Sequence, residues 1–384
     1  MKVGTLVNKY PKELKLLLSL IVLDNDPALP TLISRVNPDM DWDYFLELCI
    51  HHRVYPLVYR NINKSGFTFI PKNVLDSLKL EYMRNTINML GLTKEMEAIT
   101  KSLNENDIRS LILKGPILGK ELYGDISLRT SKDLDILVPL NDLMSTDEVL
   151  RRLGYIQIGT IDLVNRHHTS YVHSQSRIVV EVHWRLEPER GKEPSFDELW
   201  SRKELSSLTT SPVYSLGRED LFISLVTHGF RHGWFRLRWL TDIHFIVYKQ
   251  MNWHEIVEMM QTYKFQRELS QTLLLMIELF RTPTNVFPDN IVPDRKAIRM
   301  AVLAANLIND HGFKRYHFAR KKLHHKILFL VKLLSPRTED IELLHLPKAL
   351  YFLHFVIRPF LWIWKRMLRL LQSNRGKETS RVER

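Results

Sequence analysis

Hydrophobic residues in the first hundred positions recur at three- and four-residue spacing, which is the period of an amphipathic helix. Asp41 suits a helix N-cap, and Pro56 and Pro71 punctuate the pattern. The spacing predicts helices near Lys12–Val22, Asp41–His52, Val54–Asn61 and Asn73–Asn104. We therefore expect a helical region over residues 1–104.

The pattern changes between Ser110 and about Leu186, where short runs typical of β-strands appear. These runs predict strands at Ser110–Leu113, Leu134–Val138, Tyr155–Ile158, Tyr171–Val172 and Ile178–Trp184. A helical pattern over Asp142–Leu153 separates them. This alternation indicates an α/β or α+β section, which we place at residues 105–210.

Helical spacing returns after Ser215 and continues through a domain that we place at residues 211–310. The predicted helices are Arg218–Arg231, Arg238–Lys249, Trp253–Thr262, Glu268–Phe280 and Arg295–Asn309. The expected fold class is α+β, a small mixed sheet flanked by N- and C-terminal helical segments.

Composition adds two constraints to this outline. The 384-residue chain has a net charge of +12, and all of that excess lies in residues 311–384, with 17 Lys and Arg against 5 Asp and Glu. A balanced remainder argues against nucleic acid as the partner of the central section. The single cysteine, Cys49, lies in an apolar helix pattern, where we expect it to be buried and inert, and favours a reducing, cytoplasmic setting.

Two carboxylates, Asp133 and Asp135, begin the second predicted strand. Because strand side chains alternate between faces, residues two apart point the same way. Carboxylates held side by side repel each other unless a cation neutralises them, and oxygen ligands suit Mg²⁺ or Mn²⁺. The pair therefore indicates a metal site and, with it, phosphoryl or nucleotidyl transfer. The alternative is that both are turn or surface residues, since Asp-x-Asp is common by chance.

Several linked motifs between about residues 10 and 310 resemble the nucleotidyltransferase superfamily, and most closely its bacterial family of uncharacterised nucleotidyltransferases. They are Leu113–Gly115, Leu122–Tyr123, Arg129, Asp133–Val138, Val180–Leu186, His228–Trp234 and Leu237–Ile243. The chain departs from the superfamily in having Lys114-Gly115 where Gly-Ser is usual. The resemblance implies catalysis by Asp133, Asp135 and Glu181, which would ligate the metal together.

Four residues around the Asp pair are candidates for binding nucleotide phosphates: Lys114, Gly115, Arg129 and Lys132. Gly115 permits close approach of the backbone to a phosphate, and the planar fork of Arg129 suits phosphate geometry. The alternatives are a simple strand-end turn at Lys114-Gly115 and an ion pair of Arg129 or Lys132 with Asp125 or Asp133.

A second set of candidates would line the substrate pocket: His183, Arg185, His228 and His232. His183 shares a strand face with Glu181, but a half-buried structural role is an equal alternative. His228 and His232 lie one helical turn apart, as in some zinc sites. The absence of a Glu after the first His, and two neighbouring glycines, argue against zinc. Trp234 and Trp239 are expected in the core.

The basic C-terminal region, residues 311–384, contains an apolar stretch at Leu344–Leu371 that Arg358 and Pro359 interrupt. The interruptions argue against a transmembrane helix, whereas Trp, Phe and Lys/Arg together suit a membrane surface. Peripheral membrane contact through residues 345–384 is therefore one prediction, and packing on the domain is the other.

Taken together, the residues and the resemblance predict a Mg²⁺- or Mn²⁺-dependent enzyme. It would move a nucleotidyl group from an NTP to a hydroxyl or phosphate of a small molecule or peptide, with release of pyrophosphate. The alternative is a non-catalytic module that binds a nucleotide or a partner and docks through its basic tail.

Overall fold

The computed structural model describes residues 7–23, 39–163, 166–188, 193–288, 291, 293–309, 316 and 319. The predicted region 311–384, with the proposed membrane segment, therefore lies outside the described residues except at positions 316 and 319. Residues 1–316 form one compact unit. The domain boundaries predicted within that unit stay predictions. None of the helices in the described ranges is long and apolar enough to cross a membrane.

Among the described residues, four helices precede the sheet, and each lies within a few residues of its predicted position. They are α1 (Lys12–Ile21), α2 (Trp42–His51), α3 (Tyr55–Ser65) and α4 (Lys72–Glu105). Asp41 caps α2 as predicted, since its side chain accepts a hydrogen bond from the Tyr44 backbone N–H at 2.9 Å. Cys49 is fully buried in α2, as predicted.

Seven strands form one mixed sheet in the order β3-β4-β5-β2-β1-β7-β6. Their bounds are β1 Leu111–Ile112, β2 Asp133–Leu137, β3 Tyr155–Ile158, β4 His168–His173, β5 Val179–His183, β6 Glu204–Leu205 and β7 Tyr214–Ser215. The central strand β2 pairs in parallel with β5 and antiparallel with β1. The α+β fold with a mixed sheet is thereby confirmed.

The remaining helices are α5 (Pro116–Tyr123), α6 (Leu143–Arg152), α7 (Phe196–Ser201), α8 (Arg218–Arg231), α9 (Leu237–Val247), α10 (Trp253–Thr262), α11 (Gln266–Phe280) and α12 (Arg295–Asn309). The predictions for α8, α10 and α12 match at both ends. The short elements α5, α7, β6 and β7 have no counterpart among the predicted helices and strands.

One face of the sheet is the hydrophobic core, and it fixes the orientation of β2. Leu134 and Ile136 are buried against a row of α4 side chains that includes Met89 and Met96. Alternation then turns Asp133 and Asp135 to the opposite face. Burial of the apolar residues thus determines where the carboxylates lie.

The predicted core positions of Trp234 and Trp239 are confirmed, since they are 0% and 7% exposed. Gly229, inside α8, makes room for Trp234. A Cβ at that glycine would lie only 2.1 Å from the indole ring, a distance that real contacts do not reach. The glycine that weakens the helical pattern is therefore needed for close packing.

Candidate active site

Three carboxylates share the open face of the sheet at the junction of β2 and β5. The parallel register places Asp135 directly beside Glu181 and Asp133 beside Val179. We name Asp133, Asp135 and Glu181 the carboxylate group. The structure thus places on one face the three acids that the sequence assigned to the metal.

His183 lies between two of these acids at the end of β5. Its Nε2 is 3.2 Å from Asp135 Oδ1 and 3.6 Å from Glu181 Oε2. Among the described residues, Asp135, Glu181 and His183 form a group whose ligand atoms lie within 4.8 Å of one another. Asp133 is not in that tightest group. The predicted neighbour His183 is therefore in direct contact with the acids.

Electrostatics distinguish the two aspartates. Burial, followed by the charges of Asp135 and Glu181, raises the pKa of Asp133. Burial alone would also raise the pKa of Asp135, but Lys114 and His183 outweigh it and hold that pKa below its ordinary value. The nearby His183 likewise lowers the pKa of Glu181.

A divalent metal fits this donor set. The carboxylate group offers oxygen ligands, which Mg²⁺ and Mn²⁺ prefer. The charges of Asp135 and Glu181 add to burial in raising the pKa of Asp133, and the nearby cations do not offset the two effects. A cation at this face would remove that repulsion, so the residues present match the metal that the sequence predicts.

Lys114 follows β1, and its Nζ lies 3.0 Å from His228 Nδ1. Burial, and then the Lys114 charge, keep the pKa of His228 well below its ordinary value. Gly115 adopts a left-handed φ of 81° and begins α5, so a side chain there would strain the backbone.

Arg129 is buried in a two-pronged ion pair with Asp242. Its Nε and Nη2 donate to the two carboxylate oxygens at 2.9 and 3.0 Å. The predicted alternative, an ion pair with Asp125 or Asp133, is therefore wrong for Arg129. Asp242 lies 113 residues away, a distance that local spacing cannot reveal. The third nitrogen, Nη1, is buried and has no hydrogen-bond partner in the described ranges.

The remaining candidates from the sequence are Arg185, His232 and Lys132. Arg185 donates to the backbone oxygens of Glu187 and Pro188. His232 stacks on Trp239 with ring centroids 5.1 Å apart, and its ring lies 4.6 Å from that of His228. Lys132 is exposed.

Arg53, Arg236 and Arg238 lie near one another, and the charge of Asp133 acts on both Arg53 and Arg238. Arg53 and Arg236 were not among the residues that the sequence singled out. Arg53 follows α2, Arg236 precedes α9, and Arg238 lies in its first turn; we name them the arginine group. Burial, and then the charge of Arg129, lower the pKa of Arg238 to about 9. Burial, and then the charge of Arg236, lower that of Arg53, while Asp133 opposes the change.

Hydrogen bonds hold this arginine group in place. The Arg238 backbone N–H donates to His52 O at 3.2 Å, and its Nη1 donates to Thr130 O. The Nε atoms of Arg236 and Arg238 are buried without a hydrogen-bond partner in the part of the chain that the structure describes. Crowded cations with unpaired donors indicate a site for an anion.

Comparison with known proteins gives one sequence family and two structures. The sequence model of the family "Uncharacterised nucleotidyltransferase" matches residues 38–281, which include both groups. No curated protein matches. The solution structure of the antibiotic-resistance factor ANT(2'')-Ia is 11% identical, with a TM-score of 0.35, over 48% of this chain and 95% of that one. An antigenic nucleotidyltransferase-like protein from Paracoccidioides brasiliensis is 14% identical, with a TM-score of 0.32, over 54% and 95%.

Proposed function

This chain belongs to the uncharacterised nucleotidyltransferase family, and we propose that it transfers a nucleotidyl group from an NTP to a small molecule or peptide. The acceptor is a hydroxyl or phosphate oxygen, which attacks the α-phosphorus as pyrophosphate leaves. The observation that carries the proposal is the strand register that sets Asp135 beside Glu181, with Asp133 on the same face.

In this proposal the carboxylate group holds Mg²⁺ or Mn²⁺. The metal, when bound, polarises the phosphate and neutralises charge on the leaving pyrophosphate. His183 positions Asp135 and Glu181 through its Nε2 contacts. Its own pKa is raised, because the two acids outweigh the effect of burial. The Nε2 side of the ring faces both acids and favours their ionised form, which binds a cation.

The arginine group binds the triphosphate. Guanidinium donors suit phosphate oxygens, and the unpaired Nε atoms of Arg236 and Arg238 are available for such contacts. A polyanion would also relieve the mutual repulsion that lowers the pKa of Arg53 and Arg238. The phosphate roles of Lys114, Gly115, Arg129 and Lys132 stay predictions, as do the pocket roles of Arg185, His228 and His232.

Titration calorimetry with each of the four NTPs, in Mg²⁺ and in EDTA, tests the proposal. We expect one NTP to bind in Mg²⁺ and the Asp133→Asn/Asp135→Asn variant to lose that binding. Binding of no NTP under either condition would contradict the proposal and favour the non-catalytic module. Peripheral membrane contact remains a separate proposal, tested by flotation of the chain with anionic vesicles, with and without residues 345–384.

A further inference from the structure

Three histidine side chains converge where β4 begins and β5 ends. The antiparallel register sets His168 opposite His183, and the Trp184 backbone N–H donates to His167 O at 3.1 Å. One ring nitrogen from each histidine lies within 4.8 Å of the other two. The strands therefore bring together three imidazoles from positions 167, 168 and 183.

The three rings are packed close together, and none of the pairs is parallel. Ring centroids of His167 and His168 are 4.6 Å apart, with the planes at 87°. The His168 and His183 centroids are 4.9 Å apart, with the planes at 32°. The rings are therefore close enough for one ligand to contact a nitrogen of each.

Two ring nitrogens in this cluster have no hydrogen-bond partner among the residues that the structure describes. They are the buried Nδ1 atoms of His168 and His183, and the His183 side chain is only 9% exposed. A buried ring nitrogen without a partner is costly, and a ligand that binds it removes the cost. The unpaired atoms thus point to something that the cluster binds.

We propose that His167, His168 and His183 form a second metal site, which takes a borderline transition-metal ion such as Zn²⁺. Imidazole nitrogen suits Zn²⁺ and disfavours Mg²⁺, whereas the carboxylate group has the opposite preference. Three protein ligands with an open fourth position are typical of catalytic zinc sites. Glu181 Oε2 lies 3.8 Å from His168 Nε2, so an oxygen donor also lies beside the cluster.

His183 belongs to both clusters, since its Nε2 contacts Asp135 and Glu181. An ion on the histidines would therefore add positive charge next to the carboxylate group. Binding at two such sites is reciprocally coupled, so each ion changes the affinity of the other by the same factor. The histidine site does not depend on the proposed nucleotidyl transfer and can be tested without it.

Cobalt is the probe for this site, because tetrahedral Co²⁺ absorbs visible light and Zn²⁺ displaces it. The full-length, chelator-treated protein is titrated with Co²⁺ in excess Mg²⁺, which occupies the carboxylate group. We expect one equivalent of Co²⁺ with intense visible absorption that Zn²⁺ abolishes. His167→Ala/His168→Ala should weaken Zn²⁺ binding at least about tenfold.

Two control variants and the parent chain decide between a histidine site and a carboxylate site. His254→Ala, on the exposed side of α10, and Asp133→Asn should keep the absorption. Should Asp133→Asn lose it while His167→Ala/His168→Ala keeps it, the ion is on the carboxylates and the proposal is overturned. Absence of the signal in the parent chain also overturns it. Single His168→Gln, checked for native circular dichroism, repeats the test if the double variant does not fold.

Discussion

The two halves of the candidate active site carry opposite charge, and each half is crowded with charges of one sign. In the carboxylate group, burial and then the charges of Asp135 and Glu181 raise the pKa of Asp133. In the arginine group, positive neighbours help to lower the pKa of Arg53 and Arg238. Like charges repel each other within each half, so each half is suited to bind an ion of opposite sign. A metal–triphosphate complex supplies both ions at once.

The two halves also differ in how the chain builds them. The acids lie on neighbouring strands, whose hydrogen bonds fix the spacing of Asp135 and Glu181. The arginines come from a loop after α2 and from the start of α9. Separate hydrogen bonds, such as that from Arg238 N–H to His52 O, hold this region instead of a strand ladder. We therefore expect the acids to form a rigid centre and the arginines to tolerate substitution better.

The largest expected effect concerns the Arg129–Asp242 pair, which packs beside both halves with side chains 1% and 0% exposed. Arg129→Ala should lower the free energy of unfolding by about 3–5 kcal/mol, because it leaves a buried carboxylate unpaired. Urea unfolding measures this. Arg84→Ala, which breaks an exposed pair with Glu81, should cost less than about 1 kcal/mol. Equal losses in both variants would contradict a structural role for Arg129.

Removal of the acids should have the next largest effect. Asp133→Asn/Asp135→Asn should weaken Mg²⁺-dependent NTP binding at least about 100-fold, since about 3 kcal/mol of charge interaction is lost. Calorimetry in Mg²⁺ measures the change. Asp197→Asn, an exposed acid paired with Arg109, is the control and should bind as the parent chain does.

Glu121 provides a half-buried acid outside both halves. Burial, followed by the Glu204 charge, raises its pKa to about 7. The unfolded chain therefore loses the Glu121 proton at a lower pH than the folded chain does. The protonated acid stabilises the fold below about pH 4.5, and this stabilisation is lost as pH rises through about 7. Glu121→Gln should be more stable than the parent chain by up to about 3 kcal/mol at pH 8, and the two should converge near pH 4.

Thermal or urea unfolding across this pH range checks the prediction. A constant difference between the two chains at every pH would contradict it. Asp135 is the informative comparison. It is buried, but the charge of Lys114 and the contact with His183 lower its pKa. A neighbouring cation, rather than exposure to water, is therefore what separates the two acids.

The smallest expected effect is on a single arginine. Arg53→Gln should weaken Mg²⁺-NTP binding about tenfold, which corresponds to roughly 1.4 kcal/mol for one charge-assisted phosphate contact. The parent chain should lose affinity with added salt more steeply than the variant. Arg152→Gln, an exposed residue that contacts Asn106, is the control. An unchanged affinity in Arg53→Gln would remove Arg53 from the arginine group.

Strand periodicity explains why Asp133 and Asp135 could be placed together from the sequence, whereas Arg53 could not be placed beside Arg238. Asp133 and Asp135 have a local two-residue spacing in an apolar run, so their shared face follows from the chain itself. Arg53 and Arg238 meet only through folding, since 185 residues separate the neighbouring positions His52 and Leu237 that contact each other. Asp242 could not be predicted as the partner of Arg129 for the same reason, because 113 residues separate them.

Long periodic elements were likewise predicted better than short ones. The pattern of α4 extends over many turns, and its predicted bounds differ from the observed ones by one residue at each end. Helix α5 has only eight residues and begins at Pro116. The Gly115-Pro116 sequence at its start is typical of a turn. Its apolar residues pack in the core, so tertiary contacts rather than a long pattern stabilise it.

The most direct test of the account is the sign of the change in NTP affinity when the acids lose their charge. If Asp133 and Asp135 hold a metal that binds the triphosphate, Asp133→Asn/Asp135→Asn must weaken binding in Mg²⁺. If they hold no metal, they repel the triphosphate, and removing two negative charges must strengthen binding. Calorimetry of the parent chain and this variant in Mg²⁺ should show weaker binding, and tighter binding would contradict the account.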